Sequence, residues 1–405
     1  MKDRLPSSIH EEKNIEGMSR RRFTSTLLAT GFSLGTATAV SSKSVAGAKR
    51  DEVPVVVAHR MSDDPDKVTE PVEKNVPARW YDNLTKARRE YQKFLEGKEI
   101  ANYTISDDDV FSAWVSAGTL DEQEPYIEIE VIDAEVLPLG YTESEGVPVR
   151  IESVDAPEIR EDEKENYEEE NVVEPESIGR QGGLSVEDSD GASGTLGTPV
   201  HDGDDVYFFT CEHIGANMRG PINDPIRTGG GFSEGDTAYT GFGTEIGEVV
   251  ETSCSDDIAV IEPNNDYTPE FSIFGETDPI TGRVYEDGLA DMESSDEEVQ
   301  KYGQTTGHTS GVVKNHSGTV VPYAGVCGTL RTNQLQWGEE DDSDDGDSGS
   351  PVYTDEYTDD DEILIAGGVD GAWPDFYIPG DYVFGTAAYE IHNEYDYYYG
   401  NPDES

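Results

Sequence analysis

From about residue 179 onward, the chain consists of short apolar runs separated by turns, and this pattern strongly constrains the fold. Runs such as 206–209 (Val-Tyr-Phe-Phe), 258–261 (Ile-Ala-Val-Ile) and 363–366 (Ile-Leu-Ile-Ala) lie between segments rich in Gly, Asp and Asn. Many short strands with turn residues between them are typical of a β-sandwich or β-barrel. We therefore predict an all-β fold for residues 179–392, followed by an acidic, Tyr-rich tail over residues 393–405.

The region that precedes this all-β part has a mixed pattern. Residues 77–98 predict a helix, because apolar residues from Trp80 to Leu95 recur at spacings of three and four. The opposite face of that helix carries six Arg and Lys residues. Residues 126–132 and 147–151 indicate strands. The sequence thus predicts a small α+β N-terminal region within residues 49–155, joined to the all-β part by an acidic linker over residues 156–178.

The net charge excludes several classes of partner. The chain has 87 Asp and Glu against 28 Lys and Arg, which gives a formal charge of −59. Such a chain lacks the basic surface that nucleic-acid binding needs, and anionic lipid would repel it. At molar salt the Debye length falls to about 3 Å, which removes most of the self-repulsion. The composition therefore predicts a halophilic protein that binds no nucleic acid.

The N-terminus has the pattern of an export signal. Residues 19–24 (Ser-Arg-Arg-Arg-Phe-Thr) precede an apolar run of small residues over 27–40, and residues 46–48 (Ala-Gly-Ala) offer a cleavage site. This pattern resembles a twin-arginine signal peptide, here residues 1–48. The run is too short and too polar to span a bilayer. We expect a secreted protein with no membrane span in the mature chain.

Three local motifs contain residues suited to nucleophilic catalysis. Residues 346–351 (Gly-Asp-Ser-Gly-Ser-Pro) place Ser348 in a glycine-flanked turn, where the N–H groups of Gly346 and Ser348 can form an oxyanion hole. His213 follows the apolar run 206–209, and Asp257 directly precedes the run 258–261. Each motif alone has an ordinary structural explanation. Together they give the chain order His, Asp, Ser of one of the known catalytic triads.

These motifs resemble those of the trypsin/chymotrypsin-like serine proteases. Residues 210–213, 257–260 and 346–351 are similar to the family's His, Asp and Ser motifs, except that Ser350 stands where the family has Gly. Residues 302–311 (Tyr-Gly-Gln-Thr-Thr-Gly-His-Thr-Ser-Gly) resemble a stretch in secreted bacterial members such as the streptogrisins. The resemblance covers about residues 190–392. It implies a chymotrypsin-like double barrel of six antiparallel strands each, a polypeptide substrate, and neither cofactor nor metal.

The resemblance also implies a role for each motif. His213 would act as general base and then as general acid, Asp257 would orient its ring, and Ser348 would attack the carbonyl to form an acyl-enzyme. No Ile-Val-Gly-Gly-type start precedes the barrel, so activation by insertion of a new N-terminus is not expected.

The expected substrate-binding residues are less specific. The family's extended substrate-binding strand maps to Gly368, Val369, Asp370 and Gly371. Asp342 lies six residues before Ser348, where an acid selects Lys or Arg in trypsin-like members. The alternative is that Asp342 belongs to an ordinary acidic loop.

The chain has three cysteines, which is too few for a disulfide scaffold. Cys211 and Cys254 lie two residues before His213 and three before Asp257, so their backbones should be close if the triad forms. A Cys211–Cys254 disulfide that leaves Cys327 free is one expectation, and three buried thiols are the other.

The sequence thus predicts a secreted serine endopeptidase. Two alternatives stay open: a catalytically silent binding or structural protein on the same fold, and an esterase with the same triad. The N-terminal region also has two interpretations. Its basic helix and apolar stripe would let it dock as an intramolecular pro-region on the acidic catalytic half, or it is an accessory domain whose charged face is solvated.

Overall fold

A computed structural model gives the architecture of most of the chain after the predicted signal. It describes residues 51–62, 67–97, 99–100, 103–104, 110–132, 140–154, 180–214, 231–253, 255–320, 331–358, 361–372 and 382–402. The predicted signal peptide, the acidic linker, Cys254 and Cys327 lie outside these residues. Residues 50–405 form one compact unit. Among the described helices, none is both long enough and apolar enough to cross a membrane.

Residues 185–263 contribute the strands of a seven-stranded antiparallel sheet. Its core contains apolar side chains such as Phe208, Val249 and Ile261, which are at most 1% exposed. The strands are β9 (Ser185–Glu187), β10 (Ser193–Thr195), β11 (Pro199–Asp202), β12 (Asp205–Thr210), β13 (Thr237–Thr240), β14 (Glu245–Ser253) and β15 (Ile258–Pro263). Their order across the sheet is β10-β9-β13-β14-β15-β12-β11.

Residues 280–386 contribute eight strands to a larger, 14-stranded sheet. Two helices accompany them, α2 (Glu286–Ser294) and α3 (Ala388–Tyr395), and a short 3₁₀ helix covers Glu340–Asp342. The strands are β16 (Ile280–Val284), β17 (Glu298–Gly303), β18 (Gly307–Val320), β19 (Arg331–Trp337), β20 (Pro351–Thr354), β21 (Ile363–Gly368), β22 (Gly371–Ala372) and β23 (Val383–Thr386).

The N-terminal region is an α+β unit with one long helix, α1 (Ala78–Gly97). The apolar stripe of α1, which includes Trp80, Leu84 and Phe94, is fully buried in a core formed almost wholly by this region. The strands are β1 (Glu52–Met61), β2 (Thr69–Pro77), β3 (Glu99–Ile100), β4 (Tyr103–Thr104), β5 (Val110–Ser116), β6 (Tyr126–Ile132), β7 (Gly140–Ser144) and β8 (Val147–Val154). All of these except β3 and β4, which form their own sheet, belong to the 14-stranded sheet.

Among the described residues, two strand pairs join the N-terminal region to residues 280–402. Strand β1 pairs with β16, with Ala58 opposite Val284, and β5 pairs with β18, with Trp114 opposite Gly318. A Cβ atom at Gly318 would lie within 1.8 Å of the Trp114 ring, so only glycine permits this approach. The two parts are therefore joined by main-chain hydrogen bonds as well as by side chains.

The mostly β character of residues 180–402 confirms the predicted fold class, and several details differ from the prediction. The segment 49–76 contains the strands β1 and β2, which its polar composition did not indicate. Strand β21 pairs with β16 in parallel, although the double barrel was expected to be antiparallel. The stripe of α1 fills the core of its own region and is not the docking surface that we expected.

The segment predicted as a tail belongs to the folded unit as far as residue 402. Tyr397 and Tyr399 are 5% and 1% exposed and pack in a core with residues of β12 and β15. The N–H and C=O groups of Tyr398 both hydrogen-bond to the backbone of His201 in β11. The end of the chain thus adds to the first sheet.

Candidate active site

The structure brings His213 and Asp257 together at one edge of the seven-stranded sheet. His213 lies three residues after the end of β12, and Asp257 directly precedes β15, the strand that pairs with β12. The ring Nδ1 of His213 lies 2.5 Å from Asp257 Oδ2, and the His213 N–H donates to Asp257 Oδ1 at 3.0 Å. These contacts fix the ring with Nε2 free to face another group.

Ser348 is that group. Its Oγ lies 2.9 Å from His213 Nε2, so Ser348, His213 and Asp257 form one hydrogen-bonded line. The turn that holds Ser348 needs glycine at both flanks, because Gly346 and Gly349 have φ angles of +96° and +92°. At Gly349 a Cβ atom would also lie 2.2 Å from the Thr195 carbonyl oxygen. The arrangement suits transfer of the Ser348 proton to His213.

A buried ion pair holds Asp347, the residue that precedes Ser348 in this turn. Lys301 Nζ lies 2.8 Å from Asp347 Oδ2, and both side chains are 0% exposed. The N–H groups of Thr305 and Thr306 donate to Asp347 Oδ1 at 2.9 and 3.3 Å, and the Thr306 hydroxyl donates to Oδ2 at 2.6 Å. Residues 302–311 therefore hold Asp347, the residue that precedes Ser348. The buried cation that pairs with Asp347 is thus the side-chain ammonium of Lys301 and not an inserted N-terminal amine. This agrees with the lack of an Ile-Val-Gly-Gly-type start before the barrel.

Ser350, which departs from the family's glycine, is accommodated within the same turn. Its hydroxyl donates to the Asp347 carbonyl at 2.5 Å, and its own N–H donates to that carbonyl at 2.9 Å. The Gly349 N–H in turn donates to the Val369 carbonyl at 2.7 Å. The substitution thus adds a hydrogen bond to the turn and leaves its shape suited to Ser348.

Two charged residues, Arg331 and Asp370, lie near Asp257. The sequence did not indicate that they would meet there. Arg331, at the start of β19, places Nη2 3.0 Å from Asp257 Oδ2 and Nη1 3.7 Å from Asp370 Oδ2. Burial opposes ionisation of Asp257, but Arg331 and His213 together hold its pKa below the usual range. Burial and then the charge of Asp257 raise the pKa of Asp370 to about 7.

The side chains of three predicted substrate-binding residues, Asp342, Val369 and Asp370, make contacts within the protein. Asp342 binds its own loop, since its Oδ2 accepts the Glu339 N–H at 2.8 Å and its carbonyl accepts the Thr309 hydroxyl at 2.8 Å. Val369 is 0% exposed and belongs to the core of the second sheet. Asp370 turns its carboxylate toward Arg331 rather than toward solvent. Gly368 ends β21 and Gly371 begins β22, so only the backbone of this segment is placed to meet a substrate.

Cys211 is a free, buried thiol, which favours the reduced alternative over a bridge to Cys254. Its Sγ donates to the Val369 carbonyl at 3.0 Å, and burial raises its thiol pKa well above the usual value. Cys211, His213 and Asp257 each place one potential metal-ligand atom within 4.8 Å of the others. The thiol is protonated, and Arg331 already occupies Asp257 Oδ2. Both features oppose binding of a cation there.

Comparisons with known proteins give solved structures of the class that the motifs resemble. A glutamic-acid-specific serine protease matches with a TM-score of 0.40 and 18% identity, over 54% of this chain and 99% of its own. Thermobifida fusca Protease A matches with a TM-score of 0.40 and 17% identity, over 55% and 99%. Nocardiopsis protease matches with a TM-score of 0.39 and 16% identity, over 55% and 99%. No family model and no curated protein matches the sequence.

Proposed function

We propose that this protein is a serine endopeptidase that hydrolyses peptide bonds through Ser348, His213 and Asp257. The observation that carries the proposal is the continuous line of hydrogen bonds from Ser348 Oγ to His213 Nε2 and from His213 Nδ1 to Asp257, at 2.9 and 2.5 Å. A nucleophile, a base within hydrogen-bond reach of it and a third group that orients the base are the parts that acyl transfer needs.

The mechanism follows from the direction of each contact. His213 Nε2 accepts the Ser348 proton while Oγ attacks the substrate carbonyl carbon, and the carbonyl electron pair moves to its oxygen. The N–H groups of Gly346 and Ser348 are the donors proposed for this oxyanion. His213 then gives its proton to the leaving amine as the C–N bond breaks, which leaves an acyl-enzyme. A water molecule then gives a proton to His213 Nε2 and attacks the acyl carbon. The bond from that carbon to Ser348 Oγ breaks, Oγ takes the proton back from His213, and the acid is released.

A pair of neighbouring aspartates offers a matched test of the acid. We expect Asp257→Asn to reduce kcat by about four orders of magnitude, since the amide no longer holds the ring in the correct tautomer. Asp256→Asn should change kcat little, because Asp256 Oδ2 accepts hydrogen bonds from Tyr395 and, at 2.8 Å, from Ser253 rather than from His213. Hydrolysis of a peptide amide in molar salt measures both. Equal losses in the two variants would show that the acid is wrongly assigned.

The two alternative functions give different results in the same assay. A catalytically silent protein would leave Ser348 unlabelled by a fluorosulfonyl probe, although the intact triad argues against loss of activity. An esterase would hydrolyse an ester substrate but not the matched amide. Labelling at Ser348 together with turnover of the amide is the outcome that supports an endopeptidase.

We also propose that this activity takes place outside the cell and in molar salt. The twin-arginine pattern of residues 19–24 supports export, and the net charge of −59 supports function in molar salt. Since twin-arginine export carries folded proteins, the chain would leave the cell with its sheets already formed.

We further propose that residues 49–155 act as an intramolecular pro-region with the acidic linker as a removable tether. Lys74 and Arg88 support the docking, because they form ion pairs with Asp291 and Asp287 of α2 at 2.6 and 2.5 Å. If the proposal is correct, residues 49–178 added to the separated catalytic half suppress turnover of a small amide substrate, and added salt weakens the charged part of this docking. An accessory domain would leave turnover unchanged at every salt concentration.

The contact between the N-terminal region and α2 should weaken as pH rises. Glu293 accepts the Ser116 hydroxyl and the Ala117 N–H at 2.8 and 2.7 Å and lies 2.6 Å from His316 Nδ1. Burial raises the pKa of Glu293 to about 8 and lowers that of His316 well below 6.5. Glu293 is thus held as a neutral acid that can donate to His316. Because its pKa is higher in the folded state, its stabilising effect is complete below pH 4.5 and is lost by about pH 8.

We therefore expect the free energy of unfolding to fall between pH 5 and 8 by more in the wild type than in Glu293→Gln. The amide cannot ionise, so the variant lacks this part of the pH dependence, which is at most about 1.4 kcal/mol per pH unit. Denaturant unfolding at constant salt measures it at both pH values. The same pH dependence in both proteins would contradict the assignment of a neutral Glu293.

A further inference from the structure

The cluster around Asp257 contains two ion pairs in addition to the His213–Asp257 pair of a three-residue relay, namely Arg331–Asp257 and Arg331–Asp370. Asp257 Oδ2 lies 2.5 Å from His213 Nδ1 and 3.0 Å from Arg331 Nη2, so one oxygen atom serves both groups. Arg331 is not primarily paired with Asp370, since that distance is longer, 3.7 Å. The four side chains are at most 9% exposed, so water screens these charges little.

The charges of this cluster must balance during proton transfer. When Ser348 gives its proton to His213, the ring becomes a cation, which Asp257 stabilises in a three-residue relay. Here the permanently charged guanidinium of Arg331 already neutralises Asp257. The imidazolium would then be an uncompensated buried cation, which is costly in a low-dielectric site. A second carboxylate removes this problem.

Asp370 provides that carboxylate, and the structure holds it in place. The Thr386 hydroxyl, which donates to the Asp256 carbonyl at 2.7 Å, lies 3.2 Å from Asp370 Oδ2, and the Cys211 thiol approaches Oδ1 at 3.7 Å. The backbone of the same residue meets the nucleophile, since the Asp370 carbonyl lies 3.5 Å from Ser348 Oγ. Asp370 therefore lies against Ser348 through its backbone and against Arg331 through its side chain.

We propose that Arg331 and Asp370 extend the relay to five residues, and that Asp370 is a positioning residue whose negative charge is required for proton transfer from Ser348. The inference rests on the proposed function of the triad. In the extended relay, positive and negative groups alternate from His213 through Asp257 and Arg331 to Asp370. No covalent step is added, and the proton still moves only between Ser348, His213 and the leaving group.

The proposal has a consequence for pH dependence. Since the pKa of Asp370 is raised to about 7, Asp370 gains a proton as the pH falls through neutrality, and the relay loses its second anion. The acid limb of the activity profile then reports two protonations instead of one. The thiol of Cys211 stays protonated in this range because burial raises its pKa. Among the residues that the structure describes, the titratable or charged groups that face Asp370 are Asp257, Arg331, His213 and Cys211, and Glu212 faces Arg331.

The test compares the wild type, Asp370→Asn, and Asp370→Asn combined with Arg331→Met, using pH profiles of kcat and KM for one peptide amide. We expect Asp370→Asn to reduce kcat about 100-fold with little change in KM, and to reduce the acid limb to a single protonation. The double variant should recover kcat to within about tenfold of the wild type, because Asp257 alone again balances the imidazolium. It leaves no charge of this pair buried and unpaired, so it is expected to fold, which far-UV and near-UV circular dichroism verify.

Two results would overturn the proposal. Wild-type kcat and a two-proton acid limb in Asp370→Asn would show that the carboxylate is not needed. A double variant no more active than Asp370→Asn, although folded, would show that the pair has a structural role only. Failure of the triad itself has a different signature, namely Asp257→Asn with unchanged activity. A strong loss in Asp257→Asn beside no effect in Asp370→Asn would reject the extension alone.

Discussion

Ser348→Ala is expected to abolish peptide hydrolysis, with a loss of about six orders of magnitude in kcat and an unchanged fold. The nucleophile and its base act as a unit, so removal of Oγ leaves only binding and oxyanion stabilisation. Ser348 Oγ contacts His213 Nε2 at 2.9 Å and the Asp370 carbonyl at 3.5 Å, and neither contact belongs to the main-chain pairing of the sheets. Burst kinetics with an active-site titrant in molar salt measures the loss.

Ser343→Ala is the matched control for that variant. Ser343 is a buried serine five residues before the nucleophile, in the same loop, and it takes no part in the line from Ser348 to Asp257. We expect it to keep kcat within a fewfold of the wild type. Retention of more than about one thousandth of wild-type amide turnover in Ser348→Ala would reject nucleophilic catalysis by this residue.

Lys301→Met is expected to destabilise the protein by about 3–5 kcal/mol, because it leaves the charge of Asp347 buried without a cation. The two side chains are 0% exposed and 2.8 Å apart, so solvent cannot replace the ammonium. Activity should fall as well, since Asp347 lies between the two residues proposed as oxyanion donors. Urea unfolding gives the change in free energy, and turnover of folded protein at low urea gives the second effect.

The double variant Lys301→Met with Asp347→Asn separates charge from packing. With neither charge present, most of the lost stability should return. Lys314→Met, at an exposed position of β18, is the control and should stay within about 0.5 kcal/mol of the wild type. Equal stability of Lys301→Met and Lys314→Met would mean that the buried pair contributes little.

The sequence was most informative where chemistry depends on local patterns. The glycine-flanked turn of Ser348 needs two positive φ angles, so its residue types are restricted and recognisable. The strands of the catalytic half were also predictable, because each is a short apolar run bounded by turns. Lys301 carried a signal that we did not use. Together with Val299 and Gly303, Lys301 lies on the buried face of β17, where a lysine requires a charged or polar partner.

The sequence was least informative where the energetics depend on distant partners. Arg331 and Asp370 lie 74 and 113 residues beyond Asp257, and nothing in their neighbourhoods indicates that they meet it. Strand β2 was missed because its exposed residues are polar and it gains stability by pairing with β1. Val369 and Asp370 were assigned to substrate binding from their position in the chain, while their burial depends on the packing of the second sheet.

The pairing of β1 with β16 constrains the order in which the protein can be made and processed. Ala58 and Val284 lie 226 residues apart, so closing this contact costs considerable chain entropy and makes folding slow. While the chain is continuous, β1 and β16 pair within one molecule, so the rate of this step does not depend on protein concentration. Once it is cut between residues 155 and 179, refolding becomes a second-order reaction that dilution suppresses. If the chain is cut there as proposed, a molecule that unfolds after the cut and is diluted would stay unfolded, so the cut would have to follow folding.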